Sequence, residues 1–241
     1  MLKGKTAFVT GGSGAIGQAI VRTMAREGCC VVFSYKNNAG KARQLEEEIG
    51  ASVRSFKLDV LDKKAAIDLA ARVENEVGPV DVLVNNAGVV QVLPFAMIEE
   101  EDWDMIMDVN IKGMFLVTKA FARGMIRRKK GNIINLSSLA GTRMLEVPVH
   151  YATAKSAVHG FTLALARELG RYKIRVNAVV PGMITEGVSV NIPAEQRRHY
   201  EEHCALQRAG TPQEVAELIT FLASDRSGYI NAQAIVADGG I

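Results

Sequence analysis

Short, continuously apolar runs alternate along this chain with longer stretches whose apolar positions recur at helical spacing. The first kind reads as strands buried on both faces, the second as amphipathic helices. The pattern predicts strands over Thr6–Thr10, Cys29–Ser34, Val53–Leu58, Val80–Val84, Asn132–Leu136, Ile174–Val180 and Ala234–Ala237. Between them it predicts helices over Ala15–Arg26, Lys41–Ile49, Lys63–Val77, Asp102–Arg128, Tyr151–Tyr172 and Pro212–Ala223. Thr211 stands at the N-cap of the last helix and Pro212 at its first helical position. Such alternation implies an α/β fold: a doubly wound parallel sheet of about seven strands, with helices on both faces. With no repeat, low-complexity segment or linker, residues 1–241 are expected to form one domain. In that architecture ligands lie beyond the carboxyl ends of the strands, so the informative residues should follow strands.

Composition narrows the function classes. The 29 basic and 26 acidic residues leave a net charge of +3, too mild to point to nucleic acid. No apolar stretch approaches the roughly 20 residues that span a bilayer, and the amino-terminal residues do not read as a signal peptide. The three cysteines, Cys29, Cys30 and Cys204, have no disulfide-framework spacing. A cytoplasmic protein is therefore expected. The four histidines show no metal-ligand spacing with a cysteine or carboxylate, so no metal is expected.

The first predicted strand runs into Thr10-Gly11-Gly12-Ser13-Gly14-Ala15-Ile16-Gly17, and a helix follows at once. Glycines let a backbone turn tightly and approach a pyrophosphate, to which the helix N-terminus offers free N–H groups and a positive dipole end. In this strand-turn-helix context the motif points to a Rossmann-type dinucleotide site. Sites that prefer NAD often place an acid after the second strand, where it bonds the ribose 2′-hydroxyl. Here that strand ends Ser34-Tyr35-Lys36. Ser34 is placed to bond a 2′-phosphate and Lys36 to neutralise it, which favours NADPH over NADH; a solvated loop lysine is the competing reading.

Tyr151 and Lys155 stand at i and i+4 of a predicted helix, on one face. A phenol is a weak acid at neutral pH. A neighbouring ammonium is expected to lower its pKa and make it a usable proton donor or acceptor. Other signals accompany the pair. Ser138 follows the fifth strand, Asn85-Asn86-Ala87-Gly88 the fourth, and Pro181-Gly182 closes the sixth, while Asn110 lies in the long helix. Over essentially its whole length, through Val236-Ala237-Asp238-Gly239-Gly240, the chain resembles the short-chain dehydrogenase/reductase family. One departure is local: Ala15 occupies the place of a usual family glycine, and Gly14 stands one position earlier.

The resemblance implies roles. Tyr151 is the general acid/base, Lys155 binds the nicotinamide ribose and tunes Tyr151, Ser138 hydrogen-bonds the substrate oxygen, and Asn110 holds a water in a proton relay. Ser137 is a second hydroxyl, but its spacing to Tyr151 fits less well. Asp59, with Val60 beside it, borders the adenine, and Asn86, Ala87 and Gly88 line the adenosine. Pro181 and Gly182 lead to Ile184 and Thr185 at the nicotinamide amide. The family also suggests a homotetramer with the two long helices between subunits, although apolar residues such as Met114, Phe115, Val117 and Phe161 fit equally well against the sheet.

The nearest resemblance is to 3-oxoacyl-thioester reductases, including 3-oxoacyl-(acyl-carrier-protein) reductases. It implies NADPH-dependent reduction of an acyl thioester on coenzyme A or an acidic acyl carrier protein. Arg127-Arg128-Lys129-Lys130, with Arg171 and Lys173, offers a docking patch, and basic residues at helix C-termini are equally explained by the dipole. Those reductases usually carry Gln and Asn where this chain has Pro148 and His150. An alcohol, polyol or sugar dehydrogenase therefore stands as the alternative. The segment Leu139–His150 is expected to wall the substrate pocket, its Met144 and Leu145 reading as apolar wall or as core. Residues 183–205, including Asn191-Ile192-Pro193, are expected to form a substrate lid, with a plain surface helix as the alternative for the charged part. A non-catalytic nucleotide sensor is the remaining reading, disfavoured by the presence of Asn110, Ser138, Tyr151 and Lys155.

Overall fold

The computed structural model describes residues 1–187, 192 and 194–241; Asn191 and Pro193 of the expected lid lie outside the described residues. The strands are β1 (Thr6–Val9), β2 (Cys30–Tyr35), β3 (Val53–Lys57), β4 (Val82–Asn85), β5 (Gly131–Leu136), β6 (Ile174–Pro181) and β7 (Ala234–Ala237). They form one parallel sheet in the order β3-β2-β1-β4-β5-β6-β7. The order reverses between β1 and β4, so the ligand crevice of this Rossmann-type fold opens beyond their carboxyl ends.

Alternation along the strands makes two cores. Ala7 and Val9 face one side with Val31, Phe33, Val82 and Val84. Against them pack helices α1 (Ala15–Arg26), α2 (Ala39–Ile49) and α8 (Pro212–Ala223). Phe8, Val32, Leu83, Ile133 and Val176 face the other side. There they meet α3 (Lys63–Glu76), α5 (Gly113–Arg128) and α6 (Val149–Leu169). Phe8 is fully buried and stacks on Phe121 of α5 with centroids 4.2 Å apart. Burial of one such ring is worth about 1.5–3 kcal/mol. The cap expected on α8 is present: Thr211 Oγ1 accepts from the Glu214 N–H at 3.2 Å, and Glu214 reaches back to the Thr211 N–H at 2.8 Å.

The long helix expected over Asp102–Arg128 is present as an unbroken helical run from Glu100 to Arg128, with one irregularity. Helix α4 (Glu100–Met107) passes through a π turn over Asp108–Lys112 into α5. Two contacts accompany the π turn. Asn110 turns inward and donates to the carbonyls of Ile106 and Val89, both at 2.9 Å. Gly113 packs so tightly on Val60 that a Cβ there would come within 2.6 Å of Val60 Cγ2. Helix α7 (Ala194–His203) is anchored at its end, where the Tyr200 hydroxyl donates to Asp238 O at 2.8 Å and Cys204 is buried. Among the described residues no helix is long and apolar enough to cross a membrane.

Candidate active site

The glycine loop between β1 and α1 is shaped by close approach. Gly11 has φ +65, a left-handed conformation that favours glycine. A Cβ on Gly17 would come within 2.8 Å of Gly12 Cα and run into Gly11 O, and one on Gly12 would enter the Phe33 ring. Gly14 is different: its backbone is extended, and a Cβ there would meet only Gly11 O, at 3.4 Å. The space around position 14 therefore does not demand a glycine. Gly14 caps α1 without a side-chain hydrogen bond, so the first-turn amides, among them Ala15 and Ile16, are open to an anion. Ser13 is buried, and its carbonyl accepts from Gln18 Nε2 at 3.0 Å.

At the end of β2, Ser34 is buried, Tyr35 half-buried and Lys36 exposed. Lys36 Nζ lies 2.7 Å from Asp59 Oδ2, and this pairing holds the Asp59 carboxyl below the usual range. Asp59 also accepts from the Leu61 N–H at 3.1 Å. Lys36 is thus held against the β3 end, while Val60 is largely taken up by Gly113.

Thr10 and Asn86 join β1 to β4. Thr10 Oγ1 accepts from the N–H groups of Asn86 and Ala87 at 3.0 and 2.9 Å. Asn86 Nδ2 donates to Thr10 O at 2.8 Å and Gly11 O at 3.1 Å. One residue further, a Cβ on Gly88 would lie 2.7 Å from Asn110 Oδ1 and 3.4 Å from Lys155 Nζ. Asn110 is fully buried, and its Oδ1 has no hydrogen-bond partner among the described residues.

Beyond β5 the two serines separate in role. Ser137 is buried and donates to Lys155 O at 2.8 Å, with His159 Nε2 at 2.9 Å. Ser138 is half-buried, and its hydroxyl is near enough to the Tyr151 phenol to pull the phenol's pKa down. Lys155 is buried, 5% exposed, and Nζ donates to Leu136 O at 3.1 Å. Burial pushes its pKa down to about 8. Burial pushes that of Tyr151 up, with Ser138 pulling it back. The lowering expected from Lys155 is thus not what the fold produces. Nζ stands 5.7 Å from the Tyr151 ring centroid, and desolvation is the stronger influence on both groups.

After β6, Pro181 pairs with Ala237, and Gly182 admits no Cβ because Tyr200 and Asp238 press on it. Ile184 bridges Gly210 and is buried; the Thr185 N–H donates to Gly210 O at 2.8 Å and its side chain is exposed. Gly187 then passes over α1, where a Cβ would lie 3.4 Å from Ala15 Cβ. The sheet thus brings Ser138, Tyr151, Lys155, Asn110 and Gly88 together, with the glycine loop beyond the adjoining end of β1. A bare, glycine-shaped turn at an open helix N-terminus, next to an orphaned buried amide oxygen, fits a dinucleotide.

A family model described as enoyl-(acyl carrier protein) reductase matches residues 11–241. The chain is 37% identical over 242 residues to the 3-oxoacyl-(acyl-carrier-protein) reductase FabG of Thermotoga maritima, covering 100% of this chain and 98% of that one. It is 35% identical over 240 residues to nodulation protein G of Rhizobium meliloti, with 100% and 98% covered. It is 34% identical over 239 residues to FabG of Escherichia coli, with 99% and 98% covered. The chain belongs to the short-chain dehydrogenase/reductase family. It is an oxidoreductase acting on a keto or hydroxyl group, and a nicotinamide cofactor serves that family.

For a short-chain dehydrogenase/reductase the structure gives Asn85 its partners and adds Thr118, Asn135 and Thr162, which the sequence did not single out. Asn85 Nδ2 donates to Thr118 Oγ1 and Asn135 Oδ1, both at 2.8 Å, and Asn135 Nδ2 donates to Thr162 Oγ1 at 2.9 Å. This buried ladder ties β4 and β5 to α5 and α6 and so sets the Asn110 and Tyr151 elements relative to each other. Apart from Asn85 in the motif after the fourth predicted strand, an asparagine inside an apolar strand run was its trace in the sequence. The basic patch is less free than its sequence suggests. Arg127 and Arg128 both pair with Glu74, at 2.8 and 3.1 Å, and Lys130 pairs with Asp81 at 3.0 Å. All lie near the start of β5, at the opposite end of that strand from Ser138.

Proposed function

We propose that this enzyme reduces a 3-oxoacyl thioester, carried on coenzyme A or an acidic carrier protein, to the 3-hydroxyacyl thioester, with NADPH as reductant and Tyr151 as proton donor. The observation that carries this reading is the convergence of Ser138, Tyr151, Lys155 and Asn110 around Gly88, beyond the carboxyl ends of β4 and β5. Bound NADPH supplies the hydride. As it reaches C3, the carbonyl π pair moves onto oxygen, and alkoxide charge develops there. Two hydroxyls directed at that oxygen stabilise it, and a phenol that is fully protonated at neutral pH is ready to give up its proton. Lys155 places a cation below Tyr151 and offers its ammonium to a ribose. The unpartnered Asn110 Oδ1, across Gly88 from Lys155 Nζ, stands where a proton can return to Tyr151.

The preference for NADPH rests on Lys36. Its pairing with Asp59 keeps a cation at the adenosine end of the crevice, and no carboxylate follows β2. The outer faces of α5 and α6 expose Phe115 and Leu163, 43% and 55%, which supports a homotetramer joined through these helices. The three free cysteines suit a reducing cytoplasm. A comparison of acetoacetyl-CoA with crotonyl-CoA, each with NADPH, tests the reaction. Consumption of NADPH with the ketone alone is expected. Turnover of the enoyl thioester alone would replace carbonyl reduction with carbon–carbon double-bond reduction.

A further inference from the structure

Tyr151 is the third residue of α6, and the main-chain N–H at that position has no partner within a helix. The N-cap residue, Pro148, supplies no side-chain hydrogen bond. The N–H of Tyr151 donates instead to Nδ1 of its neighbour His150, at 3.0 Å. His150 is fully buried. A main-chain N–H only donates, so Nδ1 carries the lone pair and the ring proton sits on Nε2. Nε2 in turn lies 3.3 Å from Gln91 Oε1, and Gln91 Nε2 donates to Asp102 Oδ1 at 2.6 Å. Asp102 is held by the capping box of α4, its Oδ2 accepting from the Glu99 N–H at 3.2 Å. Every donor in this line meets an acceptor, and each link fixes the next.

The line starts beside the other half of the site. Val89, two residues before Gln91, accepts from Asn110 Nδ2 at 2.9 Å. The segment Val89-Val90-Gln91 therefore straps the π turn that carries Asn110 to the end of α6 that carries Tyr151.

We infer that His150 is the positioning residue of Tyr151: as the Nε2–H tautomer, held by Gln91 and Asp102, it caps the Tyr151 main-chain N–H and sets where the phenol stands relative to Asn110. The inference deepens the proposed role of Tyr151 as proton donor and rests on it. It explains why histidine serves at this position. A ring nitrogen at the δ position accepts from the next N–H, while the ε position reaches across to a different element. Asparagine reproduces the first contact through Oδ1, and leucine reproduces neither.

The tautomer is read without any substrate, from long-range proton–nitrogen NMR of the full chain at neutral pH, with the His150 signal assigned by its loss in His150→Asn. Protonation on Nε2 alone is expected; an Nδ1–H tautomer or a doubly protonated ring overturns the inference. The second readout is NADPH-dependent reduction of acetoacetyl-CoA. His150→Leu should lower kcat by about 10- to 100-fold, the loss expected of a misplaced catalytic group. The NADPH dissociation constant should stay within about twofold. His150→Asn should recover most of kcat. Gln91→Met, which leaves the cap in place and removes its anchor, should fall between them and guards against a folding defect in the leucine variant. Equal losses in His150→Leu and His150→Asn, or no loss in either, overturn the positioning role. Tyr151→Phe measured alongside separates the two claims: full turnover in that variant refutes the proton-donor reading, whatever the tautomer result.

Discussion

Lys155 Nζ donates to the carbonyl oxygen of Leu136 at 3.1 Å, which pins the ammonium of α6 to the last residue of β5. The lysine is buried, and burial lowers its pKa from 10.5 to about 8. Between those values the unfolded chain holds the proton and the folded chain does not, so this group makes stability rise with pH across that window. Below about 8 both states are charged and the destabilisation is complete. Urea titrations of the parent and of Lys155→Met, without cofactor, should show the difference moving in the parent's favour from pH 8 to 10.5, by about 3 kcal/mol at most. Parallel pH profiles would show that the ammonium is not desolvated.

Gly88 stands against two polar groups of the site at once. A methyl there would lie 2.7 Å from Asn110 Oδ1, which is main-chain-anchored, and 3.4 Å from Lys155 Nζ. Gly88→Ala should therefore displace both, costing about 1–3 kcal/mol of stability through overpacking. kcat should fall far more than that modest loss implies. Thermal unfolding and steady-state rates measured together check this; an unchanged kcat would place the proton route elsewhere.

The proposed preference for NADPH rests on Lys36. Its ion pair with Asp59 is exposed, so Lys36→Ala should leave stability within about 1 kcal/mol of the parent. Loss of a charge-assisted hydrogen bond to a 2′-phosphate should weaken NADPH binding about tenfold or more and leave NADH binding nearly unchanged. Fluorescence titration with each cofactor reads this directly, and equal weakening of both would remove Lys36 from the selectivity.

The continuous apolar runs and the helical patterns made the sheet and most helices legible, because buried parallel strands are apolar along their whole length and surface helices are not. Thr211 and Pro212 announced α8 by local chemistry alone, and Glu214 completes its cap in the structure. The π turn was hidden: Asp108–Lys112 carries no proline and keeps the helical pattern, and only the tight packing of Gly113 on Val60 and the inward turn of Asn110 reveal it. The glycine loop was read correctly as a turn before a helix, but Gly12 and Gly17, which a Cβ would force apart from their neighbours, matter more to its shape than Gly14. Long-range polar links such as Asn85–Asn135 and Gln91–His150 join residues 50 and 59 positions apart, and nothing in local spacing marks their partners. The direction of the Tyr151 pKa shift depends on burial, which the i, i+4 spacing with Lys155 does not encode.

The most direct test of the account is the rate of NADPH-dependent reduction of acetoacetyl thioesters, on coenzyme A and on a carrier protein, by the parent and by Tyr151→Phe. The account predicts turnover in the parent and a loss of about a hundred- to ten-thousandfold in the variant, with NADPH still bound. Turnover that persists in Tyr151→Phe would contradict the assignment of Tyr151 as the proton donor.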